Sequence, residues 1–129
     1  MKKEIIICAI ILVLIFFGDY ITQKYTRETI DTMSSSLEDL MEEVKQENVN
    51  QDTSKDKVKK VYDEWDARHT KLSYYIEHDE LEKVETNFSG IDDYIDSKNY
   101  DEAIVEIDKT IYSLHHIHNK INFNLENIF

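Results

Sequence analysis

Hydrophobic positions along the chain fall into two regimes. From Ile5 to Gly18 they are unbroken, with Lys2 and Lys3 ahead and Asp19 behind. Beyond that point they recur in steps of three and four, as one stripe of a helix does. Ile30, Met33, Leu37, Leu40 and Val44 form a heptad seam on a first helix. The polar run from Gln46 to Ser54 loses the pattern and reads as a loop, with Ser54 capping the next helix. A second seam holds Val58, Val61, Tyr62, Trp65, Leu72 and Ile76, and resumes at Leu81, Val84, Phe88, Ile91 and Ile95. The step from Ile76 to Leu81 slips phase by about one residue, which a continuous helix absorbs as a bulge or kink. Ser97 to Ala103 reads as a turn into a last helix, with Asn99 as N-cap and Glu102 completing a capping box. That helix carries Ile104, Ile107, Ile111, Leu114, His118, Ile121, Leu125 and Ile128. No segment sustains an alternation of period two, so strands are not expected.

The fold class is therefore all-α: an N-terminal transmembrane helix, residues 1–21, followed by an antiparallel bundle of three long helices, residues 22–129. Length tests this arrangement. Helices over 22–47 and 101–127 would each be about 40 Å long, whereas one helix over 55–97 would be about 64 Å. The middle helix must project beyond its neighbours or split near His78-Asp79 to give four. Neither glycine nor proline marks a turn there, and only Asp79 with Glu82 offers a capping box, so a kinked long helix is the preferred reading. Gly90 marks a weak point in that helix, costing about 1 kcal/mol relative to alanine.

The apolar run from Ile5 to Gly18 rises about 21 Å as a helix, short of a hydrocarbon core of about 30 Å. Tyr20 and Ile21 extend it. Asp19 in the headgroups and the lysine pair at the other end would fix a span in a slightly thinned bilayer. A cleaved signal sequence would begin in the same way but needs small residues before the cut, where this chain has Phe16-Phe17-Gly18-Asp19. A lipid-modified cysteine is disfavoured because Cys8 follows Ile7 and lies within the run. An uncleaved signal anchor is expected, with the N-terminus in the cytoplasm and the remainder outside the cell membrane.

Charge narrows the partners. The chain carries a net charge of −12, and Lys2, Lys3 and Glu4 are the only charges ahead of Asp19, leaving −13 for the remainder. Phosphates would repel such a domain, so nucleic acid is excluded as a partner and flat binding to anionic headgroups is disfavoured. With its one cysteine in the apolar run, the outer domain forms no disulfide.

Candidate chemistry is sparse. With the turn near Lys98-Asn99 as the hinge of an antiparallel hairpin, residue numbers summing to about 198 lie opposite each other. His118 then faces the level of Asp79 and Glu80. His78 with Glu82 and His115 with His118 each share a helical face, so these four could converge on zinc or a related divalent ion. The competing reading is a hydrogen-bonded polar layer that fixes register, with His115 and His116 exposed. Trp65, Tyr62, Tyr74, Tyr75 and Phe88 could line a ligand pocket, although aromatics at helical spacing usually form core. The acidic pairs Glu38-Asp39, Glu42-Glu43, Asp63-Glu64 and Asp92-Asp93 read as solvated faces, without the glycine turn of a calcium loop. A phosphate loop, a nucleophile elbow and paired metal cysteines are all absent from the sequence.

The lysine-led apolar helix, Trp65, the run Tyr75-Ile-Glu-His-Asp-Glu-Leu-Glu82, the short turn and the closing Leu125-Glu-Asn-Ile-Phe129 together resemble a family of small bacterial membrane-anchored helical proteins classed as a domain of unknown function. The resemblance implies an all-helical anchored protein and supplies no catalytic residues. Lys98-Asn-Tyr-Asp-Glu-Ala103 is also similar to the turn of a tetratricopeptide pair, but no repeat follows. The expected role is non-enzymatic and cofactor-free: an accessory or scaffold contacting another membrane or envelope protein, with self-association through the first seam as an additional arrangement. The alternative is a sensory bundle that binds a divalent metal or small ligand between helices.

Overall fold

The computed structural model describes residues 1–126, with side-chain surroundings through Asn122. It contains four helices: α1 (Lys2–Val44), α2 (Gln51–Leu72), α3 (His78–Asp96) and α4 (Tyr100–Glu126). Among the described residues, each helix packs on its two neighbours in a ring, α1 on α2 and α4, and α3 on α2 and α4, while the diagonal pairs do not meet. The bundle runs up-down-up-down. Lys57 reaches back to Glu43 on α1, and Lys120 to Glu77 just ahead of α3, as antiparallel neighbours must.

The seams converge as their spacing requires. Ile30, Met33, Leu37, Leu40 and Val44 are buried, as are Val58, Val61, Trp65 and Leu72 of α2 and Leu81, Val84, Phe88, Ile91 and Ile95 of α3. Trp65 meets Phe88 edge-on at 5.7 Å between ring centroids, and Tyr62 meets the same ring at 5.3 Å. Such aromatic pairs contribute about 0.5–1.5 kcal/mol beyond their burial. Since the first seam lies in the chain's own core, self-association would have to use another surface.

Three details differ from the sequence reading. The middle region is split: α2 stops at Leu72, α3 starts at His78, and Ser73–Glu77 makes the turn. Backbone bonds from Tyr75 and Ile76 to the Leu72 carbonyl close α2, and buried Ile76 pins the loop. Burial of Ile76 replaces the missing glycine or proline as the cause of the turn. The second difference lies at α2, where Asn50 is the cap and accepts from the Thr53 amide at 3.1 Å. Ser54 sits one turn inside, buried, with its hydroxyl on the Asn50 carbonyl. Third, the α4 seam is rotated. Ala103, Ile107, Thr110, Leu114 and Ile117 are buried, whereas Ile104, Ile111, His118 and Ile121 flank them half-buried. Leu125 and Ile128 lie outside the described side chains.

The turn between α3 and α4 falls at the expected place. Asn99 donates to the Tyr94 carbonyl at 2.8 Å and Lys98 to Ile95 at 3.1 Å, the paired bonds of a Schellman ending. Lys98 takes a left-handed φ of 58° where glycine is usual. A Cβ at Gly90 would come within 3.3 Å of the Glu106 carboxylate, which would have to shift by a few tenths of an ångström.

Along α1 the environment changes completely. Every residue from Met1 to Gly18 is exposed, whereas Thr26, Thr29, Ile30, Met33 and those beyond enter the core. This 43-residue helix extends past the bundle by an apolar segment long enough to cross a bilayer, a feature shared by membrane anchors and signal sequences.

Candidate functional site

The antiparallel register of α3 and α4 is the expected one. Lys120 Nζ lies 3.0 Å from Glu77 Oε2, and Asn87 Nδ2 donates to Ser113 Oγ at 3.4 Å, pairs whose numbers sum close to 198. The rotation of α4, however, places Lys120 rather than His118 opposite the carboxylates. Lys120 also approaches the buried Glu80 at 3.5 Å, and the hydrogen bond to Glu77 raises the Lys120 pKa above the ordinary lysine value. His118 shares a hydrogen bond with Asn122 one turn along its own helix, at 3.1 Å. His78 and His115 are exposed. The four proposed ligands, His78, Glu82, His115 and His118, are not gathered: among the described residues no three histidine, cysteine or carboxylate side chains are placed to hold a metal ion.

The aromatic set also divides. Trp65, Tyr62 and Phe88 are packed together, while Tyr74 and Tyr75 sit in the α2–α3 turn at the end of the bundle nearest the apolar segment. Burial and the surrounding Asp92, Asp93, Asp66 and Glu85 push the Tyr62 hydroxyl up to about 12, so it stays neutral.

Two features escaped the sequence reading. Glu85 reaches across from α3 to α2, where Trp65 Nε1 donates to its Oε1 at 3.4 Å and His69 Nε2 stands 3.1 Å from the same oxygen. The His69 contact is close enough for an ion pair but lacks hydrogen-bond alignment, so the indole is the bonded partner. No sequence spacing announces this group, because it needs the α2–α3 turn to form. On the outer side of α3 and α4 runs an open groove of about 950 Å³, where Asp79, Glu82 and Lys83 face Asp108, Lys109 and Tyr112. Tyr112 is 75 % exposed and stacks on His116, with ring centroids 6.5 Å apart. Charged side chains of both signs and one exposed aromatic line this groove; of the four expected metal ligands only Glu82 does so.

The class defined by this geometry is an antiparallel four-helix bundle carried on a long apolar N-terminal helix. The chain belongs to the family described as Domain of unknown function (DUF4363), whose model matches residues 20–128. The matched span begins where the apolar run ends and takes in the bundle. No curated protein and no solved structure matches the chain.

Proposed function

We propose that this protein is a single-pass, non-catalytic accessory or scaffold, anchored in the bacterial cytoplasmic membrane by α1 and presenting its bundle on the outer face to another membrane or envelope protein. The observation that carries this reading is the continuity of α1. One unbroken helix joins an exposed apolar segment to the bundle core, so the bundle is held directly at the bilayer surface. Lys2 and Lys3 at the free end favour a cytoplasmic N-terminus.

Two measurements on the full chain test this. A cysteine replacing Asn48 in the far loop should react with an impermeant thiol reagent on intact cells, and lack of labelling would place the bundle on the other side. A photoreactive side chain replacing Tyr112 should give one discrete adduct in native membranes, absent when the probe replaces Asp66 on α2. Recovery of monomer alone from both positions, under several growth conditions, would overturn the scaffold role.

A further inference from the structure

We infer that the α2–α3 turn, with Tyr74 and Tyr75 at its tip, is a second membrane contact that seats in the lipid headgroup layer beside α1. This rests on the anchor reading above and adds to it a fixed posture for the bundle. Tyr75 Oη bonds to Thr26 Oγ1 at 2.8 Å and donates to the Thr22 carbonyl at 3.3 Å, tying the turn to α1 immediately after Ile21, the last apolar residue of the span. At 1.5 Å per residue, Thr22 to Thr26 lies roughly 2–8 Å beyond Ile21 along the helix. The headgroup layer occupies about 5–7 Å on each side of the hydrocarbon. A turn held at that height meets headgroups whenever Ile21 marks the hydrocarbon edge.

The chemistry of the turn fits that layer. In a chain one third charged, Leu72-Ser-Tyr-Tyr-Ile76 carries no charge, and the one charge of the turn, Glu77, is paired with Lys120 at 3.0 Å, unlike the turn through Lys98 and the loop through Lys45 and Glu47 at the far end. Tyr74 is 83 % exposed, and beyond the apolar segment the other large exposed hydrophobic side chains among the described residues are Tyr75, Val105 and Tyr112. Two of these four sit at the one end that faces the bilayer. Tyr20 stands exposed on α1 at the same end, and Lys71 lies over the Tyr25 ring at 5.2 Å. Tyrosines and lysines with apolar stems are the side chains that settle at a membrane–water boundary. An end-on contact also avoids the repulsion that the net charge would impose on a bundle lying flat.

The test uses the full chain in phosphatidylcholine vesicles containing lipids that carry a quencher either at the headgroup or deep in the acyl chain. Single tryptophans replace Phe17, Tyr20, Tyr74 or Asn48, over the constant background of buried Trp65. Tyr74→Trp should lose emission to the headgroup quencher as strongly as Tyr20→Trp, and Asn48→Trp should lose none. If Phe17→Trp is quenched by the deep label while Tyr74→Trp behaves like Asn48→Trp, the turn is not a membrane contact although the anchor stands. If Phe17→Trp escapes the deep label, the anchor reading itself falls, and this inference with it.

Discussion

The two halves of α1 are built from similar apolar residues and end in opposite environments. Before Gly18 the apolar residues occupy the whole circumference of the helix, and all of them are exposed; after Ile21 they are confined to one stripe, and that stripe is buried. The difference lies in the angular spread of side chains around the axis. A stripe can be covered by two neighbouring helices, whereas a full cylinder of isoleucine and leucine cannot be covered by a bundle this small and needs lipid or a partner. Polar substitution around the first turns of the bundle, with Thr22, Gln23, Lys24, Arg27 and Glu28, therefore marks where the helix passes from an all-round apolar surface to a single stripe.

The largest expected effect sets the halves directly against each other. Leu37→Ala removes a side chain with no solvent exposure and should cost about 2–5 kcal/mol of bundle stability. Leu12→Ala, on a side chain 55 % exposed, should leave the same thermal unfolding transition in place. Equal losses would mean that the apolar half packs on the bundle. Deletion of residues 1–21 extends the comparison, and should preserve the helical circular dichroism and the melting transition of the remainder.

A smaller effect is expected at the joint between the halves. Tyr75→Phe removes the Tyr75 hydroxyl from the cluster it shares with Thr26 Oγ1 and the Thr22 carbonyl, where two hydroxyl protons serve three contacts, while Thr26 keeps its bond to the Thr22 carbonyl at 2.8 Å, so the loss should be about 1 kcal/mol. Amide exchange should quicken first in Ser73–Glu77. Uniform quickening through the core would show that the turn is no local clasp.

How much of this was legible in the sequence depended on whether local spacing or tertiary context decided the matter. The seams of α1, α2 and α3, the place of the turn at Lys98-Asn99 and the α3–α4 register follow from apolar spacing. The rotation of α4 did not follow. Residues 104, 107, 111, 114, 118 and 121 and residues 103, 107, 110, 114 and 117 both satisfy the three-four step, and the second set wins in the fold through Ala103 and Thr110, small side chains that a hydropathy stripe undervalues. That choice turned Lys120 toward the α3 carboxylates and dispersed the histidine set. The split at Ser73–Glu77 was visible only as a phase slip, since the turn is made by burial of Ile76 rather than by a breaker residue. The cluster of Trp65, His69 and Glu85 depends on that split and left no trace in spacing.

The distal turn should respond in the opposite direction. Lys98 holds a left-handed conformation, which costs a non-glycine residue about 1–2 kcal/mol. Glycine relieves this but loses about 0.5–1 kcal/mol to its freer unfolded chain. Lys98→Gly should therefore stabilise the bundle by about 0.5–1 kcal/mol in chemical denaturation, acting wholly on the bundle half of the molecule. A destabilised variant would show that the Lys98 side chain contributes more than its backbone costs.

The smallest effect concerns charge within the bundle. The Asp92 carboxyl is raised above its ordinary pKa by partial burial first, and then by Asp96 and Asp93, with Lys55 opposing. A carboxyl raised on folding is bound more tightly to its proton in the native state. Its favourable contribution is complete below the unfolded pKa and disappears as pH rises through the folded value. At neutral pH the ionised Asp92 therefore works against the fold, and Asp92→Asn should stabilise it, by no more than about 0.5 kcal/mol at so solvated a position. The sign can be read from pH dependence even where the size is small: the gain should be present at neutral pH and vanish in acid, where wild-type Asp92 is already protonated. A gain that persists unchanged in acid would assign the effect to amide hydrogen bonding instead of relieved repulsion.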